Sequence, residues 1–253
     1  MHYSMKRALV FLLLLLPIFV FAQSSSGSGN VKIVIQPVFD SELLILETGK
    51  YVDAHGDSLY IDEFRFYISG LKFIAGNMQW AEKESYHLID AGDKTSQVIY
   101  IKDIPAATYE GLSLVVGVDS VANTSGANGG DLDPVKGMYW AWNTGYIMAK
   151  LQGRSSICKT LHHAFEFHIG GYLPPFNAAR NVHLQLPKFK VEAGKESVIY
   201  LNADAAEWLK NPETIDLSKI NEVNMPGKDA MRVADNYMDM LSVRSLPASP
   251  KER

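Results

Sequence analysis

Cysteine is almost missing from this chain: Cys158 is the single one among 253 residues, so no intramolecular disulfide can form. Stability must therefore come from a packed core, and Cys158, in the polar stretch Arg154 to Lys159, reads as incidental rather than as a ligand. Positive charge is not in surplus either. Lys and Arg number 24 against 28 Asp and Glu, a net charge of −4. No basic stripe interrupts that balance, which argues against a nucleic-acid partner. The chain also lacks a phosphate-cradling glycine loop, a nucleophile elbow, a zinc-protease helix and a CxxC pair. Familiar hydrolytic constellations are thereby unsupported, and the expectation is a protein that is not an enzyme. No internal repeat is visible.

What is there begins with a leader. Lys6 and Arg7 precede the apolar run Ala8 to Phe21, and Val20-Phe21-Ala22 places small residues before Gln23. Residues 1–22 read as a secretory signal peptide cleaved after Ala22. A retained anchor is the alternative, but Pro17 interrupts the run, which is short beside the roughly 20 residues that a span needs. No cysteine follows the cleavage site to carry a lipid. The expected destination is the periplasm, with residues 23–30 as a Ser/Gly linker, 31–242 as one domain, and 243–253 as a proline-containing tail.

Within the domain, short runs of apolar and polar residues alternate with a period of two. Val31, Ile33 and Ile35 begin the pattern. Tyr60–Ile74, Tyr86–Ile89, Gln97–Ile101, Gly111–Val118, Tyr139–Leu151, Ala164–Ile169, Val182–Leu186 and Ser197–Leu201 continue it. Gly, Pro, Asn and Asp mark the joins. Many short strands with few helices between them predict a mainly β fold, an antiparallel β-sandwich with long loops. The C-terminal part differs. Asp204 and Glu207 resemble a capping box for a helix at Ala205–Lys210. A longer helix at Lys228–Leu241 would bury Met231, Ala234, Met238 and Leu241.

Three places could carry chemistry. In Leu161–Gly171 (LHHAFEFHIGG), a strand that buries Phe165, Phe167 and Ile169 would set His162, Glu166 and His168 on its other face. Imidazoles suit copper, zinc, iron and nickel, and a carboxylate beside them can act from the outer shell; an ordinary polar face is the alternative. His87, in an apolar strand, matters only if the fold brings it near His168. The loop Asp119–Asp133 offers Asp119, Asn123, Asn128, Asp131 and Asp133. These could hold Ca²⁺, or could serve as Asx turns satisfying the loop's own backbone, and the spacing is not that of an EF-hand. Lastly, Trp140 and Trp142 stand two apart in a strand-like run, which would put both indoles on one face.

Taken together, FRFYISGL (Phe64–Leu71), YHLID (Tyr86–Asp90), GVDSVAN (Gly117–Asn123), LDPVKGMYWAWNTGY (Leu132–Tyr146) and FEFHIGG (Phe165–Gly171) resemble the MbnP family of periplasmic copper-binding proteins. The segments fall in order across most of the chain. The resemblance implies copper held largely by histidine, with His168 the best ligand and His87 the second. Glu166 would act from the outer shell, and His162 lies outside the matched motif. It also implies that Trp140 or Trp142 is oxidised to kynurenine by a MauG-like di-haem peroxidase, with an outer-membrane TonB-dependent transporter as a neighbour. Kynurenine presents an aryl amine and a carbonyl where indole has only an N–H donor and a π-face, so opening the ring creates a ligand. Two rival functions remain: a structural or adhesion-type sandwich without a metal, and a tryptophan pair relaying electrons to a haem partner.

Overall fold

The computed structural model describes residues 27–143 and 145–244. The leader, its cleavage site, half of the linker and nearly all of the tail lie outside those residues. Pairing begins at Ser28, opposite Pro105, so the expected linker gives way to a strand before Val31.

Ten strands carry the fold: β1 (Ser28–Phe39), β2 (Ser58–Ala75), β3 (Tyr86–Asp90), β4 (Val98–Pro105), β5 (Ala107–Val116), β6 (Gly145–Ser155), β7 (Ala164–Gly170), β8 (Arg180–Val191), β9 (Glu196–Asp204) and β10 (Leu241–Val243). The helices are short: α1 (Ser120–Thr124), α2 (Glu207–Lys210) and α3 (Lys228–Tyr237). Two sheets enclose one core. The smaller runs β10-β9-β1 with β4 on the far edge of β1; the larger runs β8-β5-β2-β6-β7, with β3 also on β2. The mainly β sandwich read from the sequence is the architecture observed. Alternation explains its local form: Val31, Ile33 and Ile35 on β1 point into the core at 1% exposure, while their neighbours stay partly open.

Two pairings depart from the antiparallel expectation, a short one between Glu222–Val223 and β7 and a long one. β1 and β9 run parallel, from Asn30 opposite Glu196 to Val38 opposite Asp204. Both strands are buried on their inner face only, so alternation cannot reveal direction; the long crossover between them sets it. The other surprise is β2, whose Phe64, Phe66 and Ile68 and also Tyr67 are all buried, while the bulge between Ser69 and Lys72, with Gly70 at φ 59, returns Leu71 to the core face in step with Phe73. Its second face is roofed by the loop from Asp119 to Met138. There the Tyr67 hydroxyl donates to the Asp131 carbonyl at 3.0 Å, and the Tyr67 ring meets Tyr146 edge-on at 5.9 Å.

The helical end corrects two expectations. The Asp204 carboxylate accepts from the N–H groups of Ala206 and Asp40, and α2 starts only at Glu207 with Ala206 at its N-cap, so no capping box forms. α3 stops at Tyr237 and buries Ala230, Val233, Ala234 and Tyr237, while Met238 is exposed. Ala234 and Leu241 of the predicted stripe are buried, but the burying face is offset from it because Tyr237 packs on Trp208. Trp208 is sealed there, its indole N–H on the Met240 sulfur at 3.3 Å and its ring 5.1 Å from that of Tyr237.

Candidate metal-binding and aromatic site

The site is built on β7 and the turn that follows the Tyr139–Trp140 strand. β7 lies beside β6 in the register His168 opposite Lys150 and Glu166 opposite Gln152. Phe165, Phe167 and Ile169 are fully buried, as alternation requires, and Glu166 and His168 share the other face. His162 does not join them. It sits in a 3-10 turn at φ 58, before the strand begins at Ala164, and so it is not on the strand face at all. His163 follows at φ 57 with its Nδ1 on the Cys158 carbonyl at 2.9 Å. The two histidines open on a separate surface cavity with Lys50, Tyr60 and Arg154.

Across the polar face of the larger sheet runs a row of four residues: His168 on β7, Lys150 on β6, Arg65 on β2 and Asp90 on β3. Lys150 is 9% exposed; its ammonium donates to the Gly137 carbonyl at 3.1 Å and stands 3.4 Å from Glu63. Arg65 donates to Glu63 at 3.1 Å and forms an ion pair with Asp90 at 3.0 Å, which neutralises the middle of the row. At its end, His168 is partly buried. Burial, and then the Lys150 cation beside it, push its pKa down to about 4 against a weaker opposing pull from Glu63. The imidazole is therefore neutral near pH 7, the protonation state that a metal requires. The Gln152 amide nitrogen donates to its Nε2 at 2.6 Å.

His87 is elsewhere. It pairs with Ile68 on β3, and its Nε2 is engaged by Glu82 at 2.8 Å. Two strands, β6 and β2, separate β3 from β7, a gap of about 14 Å at ordinary strand spacing. The fold does not bring the two histidines together. Among the described residues no three His, Cys, Asp or Glu side chains gather as a metal cluster. A donor set of two imidazoles therefore does not assemble here; one neutral imidazole, His168, fits.

What the fold does place beside His168 is an indole. Gly170 is two residues along β7, so its missing side chain would point to the same face as His168. Trp140 fills that space: a Cβ at Gly170 would meet its Cζ3 at 2.5 Å and its Cη2 at 2.7 Å. Gly171 has its own reason, a φ of 113 and a carbonyl, that of Phe176, where a Cβ would lie. β6 bulges at Met148 opposite this point, between Ile147 (facing Gly170) and Ala149 (facing Ile169). Trp140 is 6% exposed and lines a cavity of about 250 Å³ with Tyr172, Phe176, Pro174 and Pro226. Trp142 is 64% exposed, its ring 5.5 Å from that of Trp140 and tilted by 41°. The two indoles are neighbours, but through a turn: the strand stops at Trp140 and residues 141–143 bend away, so the expected unbroken strand from Tyr139 is not formed. Met138 and Met148 are fully buried packing residues.

The acidic loop spends its oxygens on protein donors, in its own turns and on the neighbouring strands. The Asp119 carboxylate accepts from Val121 and Ala122 N–H, and that of Asp133 from Val135 N–H. Asp131 takes Leu88 N–H and Lys136, and the Asn123 oxygen takes Tyr146 N–H. That is the Asx-turn arrangement rather than a Ca²⁺ cage.

Sequence inspection missed Gln152, Lys150 and the seat that Gly170 provides. Only Gly170-Gly171 gave a signal, as a paired glycine after a strand; the other two emerge from cross-strand register.

Comparison with known proteins bears on the fold and the family. MbnP from Methylosinus trichosporium has the same fold, with a TM-score of 0.56 at 14% identity, over 80% of this chain and 83% of that one. No curated protein matches. The MbnP family model matches residues 28–226, from the first strand to Pro226 on the cavity wall, and the chain belongs to the MbnP family.

Proposed function

We propose that this is an exported, non-catalytic copper-binding protein of the periplasm that takes part in copper acquisition or handling. Family membership supports a copper-related role. The observation that carries the residue-level reading is that Trp140 packs on Gly170, two positions along β7 from His168 and on the same face, with the imidazole neutral. Copper is the cargo, and His168 supplies an imidazole ligand to it. Trp140, once opened to kynurenine, would add an amine and a carbonyl on the same face. A di-haem peroxidase of the MauG-like type is the maturation partner in this proposal, and a TonB-dependent transporter the outer-membrane neighbour. Glu166 acts at most from the outer shell. His87 is set aside from the ligand set, since Glu82 holds it on a strand too distant to share a metal with His168.

Titration of Cu(I) and Cu(II) into the wild type, His168→Ala and His87→Ala is the test. The expected result is stoichiometric binding that His168→Ala abolishes and His87→Ala leaves intact. Peptide mass spectrometry on protein from its native host would show Trp140 with one carbon lost and one oxygen gained. Equal binding by His168→Ala and the wild type would overturn the assignment. No copper uptake by any form would favour the structural sandwich.

A further inference from the structure

His162 and His163 stand outside the site built on His168. The strand that carries His168 begins at Ala164, four residues before it, about 13 Å at ordinary strand rise. One metal ion cannot serve both places. His162 and His163 both lie in the left-handed region, at φ 58 and 57. A residue with a Cβ enters that region only where its surroundings hold it there. The anchor here is Cys158, 1% exposed, whose N–H donates to the Ser155 carbonyl at 2.9 Å. Its own carbonyl accepts from the His163 ring at 2.9 Å, and the His163 N–H donates to the Thr160 carbonyl at 3.1 Å.

Successive side chains of a strand point to opposite faces, whereas in a helical turn of either hand they are about 100° apart. Adjacent imidazoles in a left-handed turn can therefore look into one space. Both line a cavity of about 330 Å³ with Lys50, Tyr60, Arg154 and Ser156. The partner of His163 assigns its proton. A carbonyl oxygen only accepts, so Nδ1 carries the hydrogen, and in the neutral ring Nε2 is the bare lone pair. A ligating histidine is generally held in this way, one ring N–H on a backbone carbonyl and the other nitrogen free for the metal. His162 beside it is exposed. The cavity does not suit an anion. Arg154 is already clamped by both oxygens of Asp62, at 2.8 to 3.2 Å, and a bare Nε2 repels an anion's lone pair. Lys50 is exposed, and its flexible stem can turn the ammonium to solvent.

We infer that His162 and His163 form a second metal site, a surface site for Cu(II). His163 binds through Nε2, His162 supplies the other imidazole, and water completes the coordination. Among the first-row divalent ions Cu(II) takes such nitrogen donors most tightly. Two protein donors hold a metal less firmly than a closed cage, so copper fills this site as a weaker phase and leaves it readily. The site stands whether or not His168 is a ligand.

The experiment is Cu(II) titration of the full chain carrying His168→Ala, followed by EPR, alone and with His162→Asn, His163→Asn or both. Asn tolerates the left-handed region, so it keeps the turn while removing the imidazole. Expected for His168→Ala is one weak Cu(II) phase whose spectrum shows nitrogen coupling from two imidazoles. Each Asn substitution should weaken it by at least the roughly 10- to 100-fold that loss of an outer-shell partner costs a metal site, and the pair should remove it. Equal uptake with and without both Asn substitutions, or coupling to a single nitrogen, would overturn the inference. Absence of any Cu(II) phase in His168→Ala would overturn it too, and leave His168 as the ligand. A wild type that shows this weak phase alone would support the second site and fail the His168 reading.

Discussion

The molecule contains two clusters built around tryptophan, and they have opposite fates. At the helical end, Trp208 is fully buried against Phe64 and Tyr237, and its N–H is satisfied by the Met240 sulfur. At the other end, Trp140 is nearly as buried, yet one side of it borders a cavity and its outer neighbour Trp142 stands in solvent. Burial alone does not separate core from site. The difference lies in what each indole leans on: a sealed wall of side chains in one case, a glycine two positions along the strand from a neutral histidine in the other.

That contrast can be broken or sharpened by substitution. The largest effect should come from Trp208→Ala, which empties a closed space and should cost about 3–5 kcal/mol in denaturant unfolding; copper binding per folded molecule should not change. Gly170→Ala comes next. Its Cβ would collide with the Trp140 ring, and overpacking of this kind costs about 1–3 kcal/mol. Unlike Trp208→Ala, it should also alter Trp140 fluorescence and copper affinity, because the indole must move off β7. If Gly170→Ala changes stability alone, the seat is only packing.

A pH series separates the two clusters in another way. His168 titrates near pH 4 in the folded protein, below its ordinary value of 6.5. Between those values the unfolded chain binds the proton and the folded one does not, so stability should fall as pH drops through that window and level off below it. His168→Asn should flatten this part of the curve; an unchanged slope would mean that other groups set it. Trp142→Ala should have the smallest effect on stability, within about 0.5 kcal/mol for an exposed position. Any role for Trp142 would then show only in the oxidation of Trp140 by a haem partner.

The strands were legible where one face is buried: Phe165, Phe167 and Ile169 follow the period of two because the core takes every second side chain. The FHIGG segment was equally readable as unusual. What could not be read was anything set by distant pairing. His162 looked like a strand residue, but two consecutive left-handed residues precede β7 and turn it aside. The distance between His87 and His168 depends on β6 and β2 lying between them, which local pattern does not encode. Tyr67 is buried because a loop distant in sequence roofs β2, and Leu71 because a bulge at Gly70 shifts the alternation. Gln152 carried no signal, since a lone glutamine in a strand acquires meaning only from what the neighbouring strand puts beside it.

The parallel pairing of β1 with β9 also bears on how the chain is assembled. β1 is synthesised first, but its longest partner, beginning at Glu196, is among the last strands made. Closing that pair requires a loop spanning most of the domain, and such non-local contacts slow folding because the entropy of closure is spent before the contacts form. Until β9 arrives, Val31, Ile33 and Ile35 have β4 for company but no completed sheet, leaving an apolar strand edge open. The smaller sheet is thus a late-closing clasp, and the larger one, with its antiparallel neighbours β5, β6 and β7 on β2 and on each other, can be standing before the clasp shuts.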